Sequence, residues 1–459
     1  MGITASLFYS ADTEKQTLDR RIRPSEAQIE AQQERWNALA EHLLKDLAAR
    51  SGYSTRSWLQ GSYKFGTQVR PAKKGDEFDI DLGIYFEWEG TPEDGNHGPE
   101  ALKEMVQKSL LAYEDEAVLK VVKPPKSRCS RIRFKDDFHI DVPCYHLDPT
   151  RDARTLATTN GWEESDPKAI YLWFRDRFDD EKRAKARRLV RYVKCWAALT
   201  FAESERPSSI LLTVLVAEAM DEVSDRDLAC DDDALLAVLK KIVDRLERDW
   251  TVKNPVNEEE RLSDRLTREQ KDAVLAELRK FRSIAEEALA CDGVLDAADK
   301  WAKVFAHFFP LPEDIEKELA ESRALVPVLP DVRVIAVPNN NQGRRFEGMN
   351  RIGPIPKDCT IYFEIVSPGC IQPGDMVEWM VRNEGDEAEY RNDLGHYAGC
   401  GVRVSRHSAY KGTHYMDCII HRNGRLVAVR RISVEILGSF MPPRNPVKRP
   451  DYVGFRSRR

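Results

Sequence analysis

Between Phe78 and Ile84 the chain reads Phe-Asp-Ile-Asp-Leu-Gly-Ile, and few segments restrict a fold so tightly. Strict alternation of apolar and acidic residues is the mark of a half-buried strand. Successive side chains of a strand take opposite faces, so Phe78, Ile80, Leu82 and Ile84 face a core. Asp79 and Asp81 then share the other face, their Cα atoms roughly 7 Å apart. Phe138-His139-Ile140-Asp141-Val142 follows the same logic: Phe138, Ile140 and Val142 go inward, His139 and Asp141 outward. If the two strands are neighbours, three carboxylates converge.

Anions crowded on one patch repel, and each tends to hold a proton unless a cation compensates. Mg²⁺, or Mn²⁺ in its place, prefers carboxylate oxygens, water and substrate phosphate. Asp79, Asp81 and Asp141 are therefore the expected metal ligands and catalytic residues. Such a site suits in-line phosphoryl transfer, where positioning and charge neutralisation matter more than covalent chemistry. Asp79-Ile80-Asp81 alone would equally suit a solvated strand face. What adds to it is Gly61-Ser62, just upstream in a polar turn. There Gly61 permits close backbone approach and Ser62 offers a hydroxyl and an amide to phosphate oxygens.

The rest of the chain sets the frame. Its 459 residues call for two or three domains. The formal net charge of -6 argues against a charge-driven coat on nucleic acid, so no stable DNA binding is expected. The nine cysteines include no Cys-x-x-Cys pair, which points away from zinc and disulfides and toward free thiols in a reducing cytoplasm. Apolar stretches such as Ile210 to Ala219 fall short of the roughly 20 residues of a membrane span, and no membrane association is expected. Residues 13–50 read as helix, with a start signal at Pro24-Ser25. Strands are expected at 78–86, 117–122, 131–134 and 138–145, and mainly helices over 166–310. Residues 323–344, rich in Pro and Asn, read as an interdomain linker or a first strand. Alternating and β-branched runs from 345 to 438 read as a small all-β domain. Residues 439–459 read as a basic, Pro-rich tail.

Gly61-Ser62, the Asp pair and the distant strand Asp together resemble the polymerase-β-like nucleotidyltransferase superfamily. Gly61-Ser62-Tyr63-Lys64-Phe65-Gly66-Thr67, His139-Ile140-Asp141-Val142-Pro143, Leu189 to Trp196 and Pro207-Ser208-Ser209 narrow the likeness. They resemble the bacterial synthases of cyclic oligonucleotides, relatives of cyclic GMP-AMP synthase and oligoadenylate synthase that act in anti-phage signalling. The resemblance implies an α+β fold, with a nucleotidyltransferase lobe and a helical lobe over residues 1–322. It assigns triphosphate binding to Gly61, Ser62, Lys194, Ser208 and Ser209. On the residues themselves, Lys194 sits at the edge of an apolar helix face and could equally be a snorkelling lysine. Ser208 or Ser209 could equally be an ordinary helix N-cap. The basic stretch Lys123, Lys126, Arg128, Arg131 and Arg133 reads as either an acceptor-nucleotide contact or a solvated hairpin.

Residues 345–438 resemble the adenylyl/guanylyl-cyclase and SMODS C-terminal sensor domain, which implies a β-sandwich. His407, Tyr410, His414 and Tyr415 are its candidate contacts to a small ligand, with a place in the sandwich itself as the other reading. The expected activity joins nucleoside triphosphates into a cyclic or short linear oligonucleotide that acts on a downstream effector. Transfer of one nucleotide to a protein, tRNA or small molecule, and a non-catalytic nucleotide-sensing role, stay open beside it.

Overall fold

The computed structural model describes every residue except 1, 13–14, 74–75, 136–137, 313–328, 340–343 and 439–459. The basic tail and the first part of the expected linker lie outside the described residues. Two compact units form, one from the described residues up to 312 with 390–392 and one from the described residues of 329–389 and 393–438.

In the first unit, β1 (Ser54–Gln60), β2 (Phe78–Glu87), β3 (Val118–Val121), β4 (Ser130–Phe134), β5 (Phe138–Val142), β6 (Cys144–Asp148), β7 (Ala153–Thr158) and β8 (Gly161–Glu164) make an eight-stranded mixed sheet. β2 is central. It runs parallel to β5 over Phe78–Asp81 and to β6 over Ile84–Glu87, while β1 pairs with it antiparallel. The alternation in β2 does what its chemistry demands: Phe78, Ile80, Leu82 and Ile84 join Phe138, Ile140 and Val142 in one core. Leu39, Leu43 and Leu47 of the helix Glu26–Ser51 and Leu102, Val106 and Leu110 of the helix Pro99–Ala112 cover that face.

Two expectations for this region need correcting. The helix expected over 13–50 is two helices, Leu18–Ile22 and Glu26–Ser51. The break falls at Pro24 because proline disfavours helix in the residue before it, and Ser25 with Gln28 forms a reciprocal capping box that starts the longer helix anew. The strand expected over 138–145 is divided at Pro143, which has no N–H for a ladder. The Pro143 carbonyl instead accepts the Ile84 N–H at 3.0 Å.

The helices Asp180–Thr200, Ser209–Asp221, Asp231–Arg248, Arg268–Leu289 and Val294–Phe305 form the second lobe of this unit. A hairpin of Lys253–Asn254 and Asn257–Arg261, then a 3-10 turn over Leu262–Arg265, interrupts them around Pro255. Among the described residues, no helix is long and apolar enough to cross a membrane.

The second unit is a β-sandwich. Phe346–Met349, Val332–Pro338, Cys359–Ile365 and Arg403–His407 form one sheet. Arg351–Ile355, Arg425–Ile436, Gly412–Arg422, Met376–Arg382 and Gly395–Cys400 form the other. Val332, Val334, Ala336, Phe363, Trp379, Cys418 and Ile432 fill the space between them. Val332–Pro338 falls inside the stretch read as a linker or a first strand; it is a strand, and three of its alternate residues are core. Its apolar period outweighs the flanking prolines. The hairpin turn at Asn423-Gly424 has φ of 52° and 74°, the left-handed pair that a two-residue turn between twisted strands requires.

Candidate active site

The parallel pairing of β2 with β5 sets Asp79 opposite His139 and Asp81 opposite Asp141. The antiparallel pairing of β4 with β5 sets Arg133 opposite His139 and Arg131 opposite Asp141. Period-two alternation therefore builds a polar checkerboard on the sheet face away from the core: Glu77, Asp79 and Asp81 in one row, His139 and Asp141 in the next, Arg131 and Arg133 in the third. Ligand atoms of Asp79, His139 and Asp141 all lie within 4.8 Å of one another.

Each charge answers its neighbours. Burial pushes the Asp81 carboxyl well above the usual carboxylate range, and Asp79 and Asp141 push it further. Burial also raises Asp141, but hydrogen bonds and charge from Arg131, with Lys126, outweigh it and hold Asp141 below that range. Arg131 grips Asp141 through Nε at 2.5 Å and Nη2 at 2.7 Å. Lys126 adds a contact to Asp141 at 3.3 Å. Arg133 binds Glu77, and His139 Nδ1 lies 3.0 Å from a Glu77 oxygen. Arg128 pairs with Glu163 at 3.0 Å. The basic stretch thus serves mainly to pair carboxylates on the sheet.

Gly61, Ser62, Phe65, Thr67, Asp79, Asp81, Lys194, Ser208, Ser209, Ile210, Thr213 and Arg265 line one cleft of about 300 Å³. Gly61 has φ of +58°, and a Cβ there would fall on the Asp81 carboxylate, so only glycine lets the turn approach this strand. Lys194 is buried on the helix Asp180–Thr200 and donates to the Thr67 carbonyl at 2.8 Å. Burial pulls its ammonium down to about 7, against the opposing pull of Asp79 and Asp81. Ser208 caps the helix Ser209–Asp221, accepting from the Leu211 N–H, and Ser209 stands exposed on the cleft wall.

Sequence reasoning missed Glu77, Arg187, Arg191, Thr213 and Arg265. Glu77 was legible as the next alternate residue before Asp79 and Asp81. Arg187 and Arg191 lie on the helix face of Lys194 and donate to the Phe65 and Gly66 carbonyls at 2.9 and 2.7 Å, a spacing of four and then three residues that the sequence carries. Thr213 and Arg265 reach the cleft only through tertiary packing.

In the second unit, His407, Tyr410, His414 and Tyr415 line one cavity of about 80 Å³, together with Asn383, Asp393, His396 and Arg406. Tyr410 donates its hydroxyl to Asp393 at 2.8 Å, and His414 Nε2 lies 2.8 Å from the Tyr410 carbonyl. Burial lowers the His414 imidazole below its ordinary value. Tyr415 also lies under Arg431, 5.2 Å from ring centroid to guanidinium.

An acidic mixed-sheet face carries the candidate site, with a Gly-Ser turn against it and a helical lobe across the cleft. Residues 55–145 match the nucleotidyltransferase domain of the cyclic GMP-AMP synthase DncV-like family. Residues 313–437 match the adenylyl/guanylyl and SMODS C-terminal sensor domain. The chain carries both domains and is homologous to cyclic dinucleotide synthases. It is 29% identical over 446 residues to a cyclic GMP-AMP synthase of Escherichia albertii, covering 94% of this chain and 95% of that one. It is 26% identical over 257 residues to a c-di-GMP synthase of Roseivirga ehrenbergii, covering 50% of this chain and 66% of the relative. The crystal structure of Vibrio cholerae DncV cyclic AMP-GMP synthase superposes with a TM-score of 0.57 at 19% identity, over 68% of this chain and 98% of that one. At that identity the likeness is one of fold.

Proposed function

We propose that this chain joins nucleoside triphosphates into a cyclic oligonucleotide, with its active site in the cleft of residues 1–322. The observation that carries the reading is the register of β2 and β5, which sets Asp79 and Asp81 beside His139 and Asp141 at a cleft that Gly61, Ser62 and Lys194 also line. The donor set fits a divalent cation: Asp81 stands half-buried among carboxyls that raise its affinity for a proton, and a cation relieves that repulsion. Asp79, Asp81 and Asp141 would hold Mg²⁺ or Mn²⁺, which when bound neutralises triphosphate charge and acidifies a ribose hydroxyl.

The chain's own residues do the rest. Lys194 supplies a positive charge to the phosphates. Ser62, Ser208 and Ser209 offer hydroxyls along the cleft. A ribose hydroxyl attacks an α-phosphate, pyrophosphate leaves, and a second round closes the ring. The β-sandwich would act as the sensor, taking a small polar ligand in the cavity of His407, Tyr410, His414 and Tyr415. The product would act on a downstream effector, in bacterial anti-phage signalling.

The test is incubation of the purified chain with labelled ribonucleoside triphosphates and Mg²⁺. A phosphatase-resistant labelled product that forms without added acceptor supports the reading. Label appearing only on an added protein, tRNA or small molecule refutes it, as does unchanged activity in an Asp79→Asn, Asp81→Asn double variant.

A further inference from the structure

His139 has no task in the scheme above, yet it stands in the middle of the site. We propose that His139 Nε2 is a ligand of the metal held by Asp79 and Asp141, and that this nitrogen favours Mn²⁺ over Mg²⁺. The proposal rests on reading the cleft as a metal-dependent nucleotidyltransferase site and deepens it by naming the donor set.

The ring is only 7% exposed. Its Nδ1 lies 3.0 Å from Glu77 Oε2. Glu77 also accepts from Arg133 Nε at 2.8 and 3.0 Å, so it acts as an acceptor and Nδ1 carries the proton toward it. That leaves Nε2 on the side of the carboxylates. Nε2 lies 3.0 Å from Asp79 Oδ1, yet it is buried and makes no hydrogen bond. A buried nitrogen left in that state calls for a partner.

The geometry is that of a metal ligand. Metal-binding histidines characteristically donate the other ring N–H to a carboxylate, which fixes the ring and strengthens the donor nitrogen; Glu77 stands in that place. With metal–ligand bonds of about 2.1 Å, two ligands of one ion lie up to about 4.2 Å apart. The 4.8 Å span of the Asp79, His139 and Asp141 donor atoms is close to that. Arg131 engages each Asp141 oxygen once, at 2.5 and 2.7 Å, which leaves each a second lone pair for a metal, and His139 Nε2 adds a donor that no hydrogen bond uses. Mg²⁺ demands an oxygen shell and dehydrates reluctantly, whereas Mn²⁺, a transition-metal ion that also takes oxygen donors, accepts an imidazole nitrogen more readily than Mg²⁺ does.

Pulsed electron paramagnetic resonance of Mn²⁺ bound to the full chain without an affinity tag reads the ligand directly. Wild-type protein is expected to show nitrogen coupling to Mn²⁺ that changes when histidine is labelled with ¹⁵N. His139→Gln is expected to lose that coupling and to lower the ratio of Mn²⁺ to Mg²⁺ affinity about tenfold. Glu77→Gln, which keeps the nitrogen but weakens its support, should retain the coupling with weaker Mn²⁺ binding. Mn²⁺ bound without histidine nitrogen coupling, or coupling and ratio unchanged in His139→Gln, overturns the assignment and leaves the carboxylate site standing. Failure of wild-type protein to bind Mn²⁺ at all overturns both.

Discussion

At Gly61 the site allows no side chain. Its φ of +58° and the Asp81 carboxylate beside it mean that Gly61→Ala must displace the carboxylate or move the turn. The backbone penalty is about 1–2 kcal/mol, whereas a misplaced reacting group costs about a hundredfold in rate. Gly61→Ala is expected to cut turnover about a hundredfold while lowering Tm by only a few degrees, read by product assay and calorimetry on one preparation. Asp81 behaves oppositely. Its carboxyl is raised when folded, so its charge opposes folding fully above the folded value and not at all below the unfolded one. Asp81→Asn should therefore raise the apo Tm at pH 8 and abolish synthesis; a lowered Tm would show that the crowding of carboxyls is not a source of strain. Lys194 reports on substrate. Its ammonium is down near 7, below its unfolded value, so the free protein leaves it mostly neutral at pH 8, and triphosphate charge would draw a proton back. Nucleotide binding at pH 8, measured by titration calorimetry in buffers of different ionisation enthalpy, should take up a proton in wild-type protein and not in Lys194→Met.

Among the elements, strands were more legible than their neighbours. The faces of β2 and β5 followed from alternation alone, because a period of two leaves no freedom once one face is apolar. That they pair in register is tertiary information, and so is the row of Arg131 and Arg133 that completes the pattern. The break between β5 and β6 at Pro143 and the break between helices at Pro24 were both written in the sequence, but proline signals lost weight against long apolar runs. The helix Asp180–Thr200 holds the turn after Ser62 through Arg187, Arg191 and Lys194, which donate to the Phe65, Gly66 and Thr67 carbonyls at 2.9, 2.7 and 2.8 Å. Arg187→Met removes one tether without touching the buried Arg191–Asp19 pair. It should raise the KM for nucleoside triphosphates several-fold with Tm shifted little. An unchanged KM would assign the arginine to packing alone.

For the molecule as a whole, the division into two units was readable from the change of period after residue 345, while the segment just before it stayed a choice between a linker and a first strand. Val332–Pro338 contributes core residues to the sandwich, and a strand flanked by prolines is hard to tell from a linker by composition. Separate cores imply separable unfolding. Trp379, fully buried with its indole N–H donated to the Gly401 carbonyl at 2.7 Å, is the natural probe, since Trp→Ala in a core removes about 3–5 kcal/mol. Trp379→Ala should move one of two calorimetric transitions and leave the other in place. The chemistry of the whole chain is tested most directly by mass spectrometry of the products formed from the four ribonucleoside triphosphates with Mg²⁺ or Mn²⁺. A cyclic oligonucleotide with matching pyrophosphate release, absent from the Asp79→Asn, Asp81→Asn variant, is the expected result. Triphosphates recovered intact, or a product that the double variant makes equally well, would contradict the account.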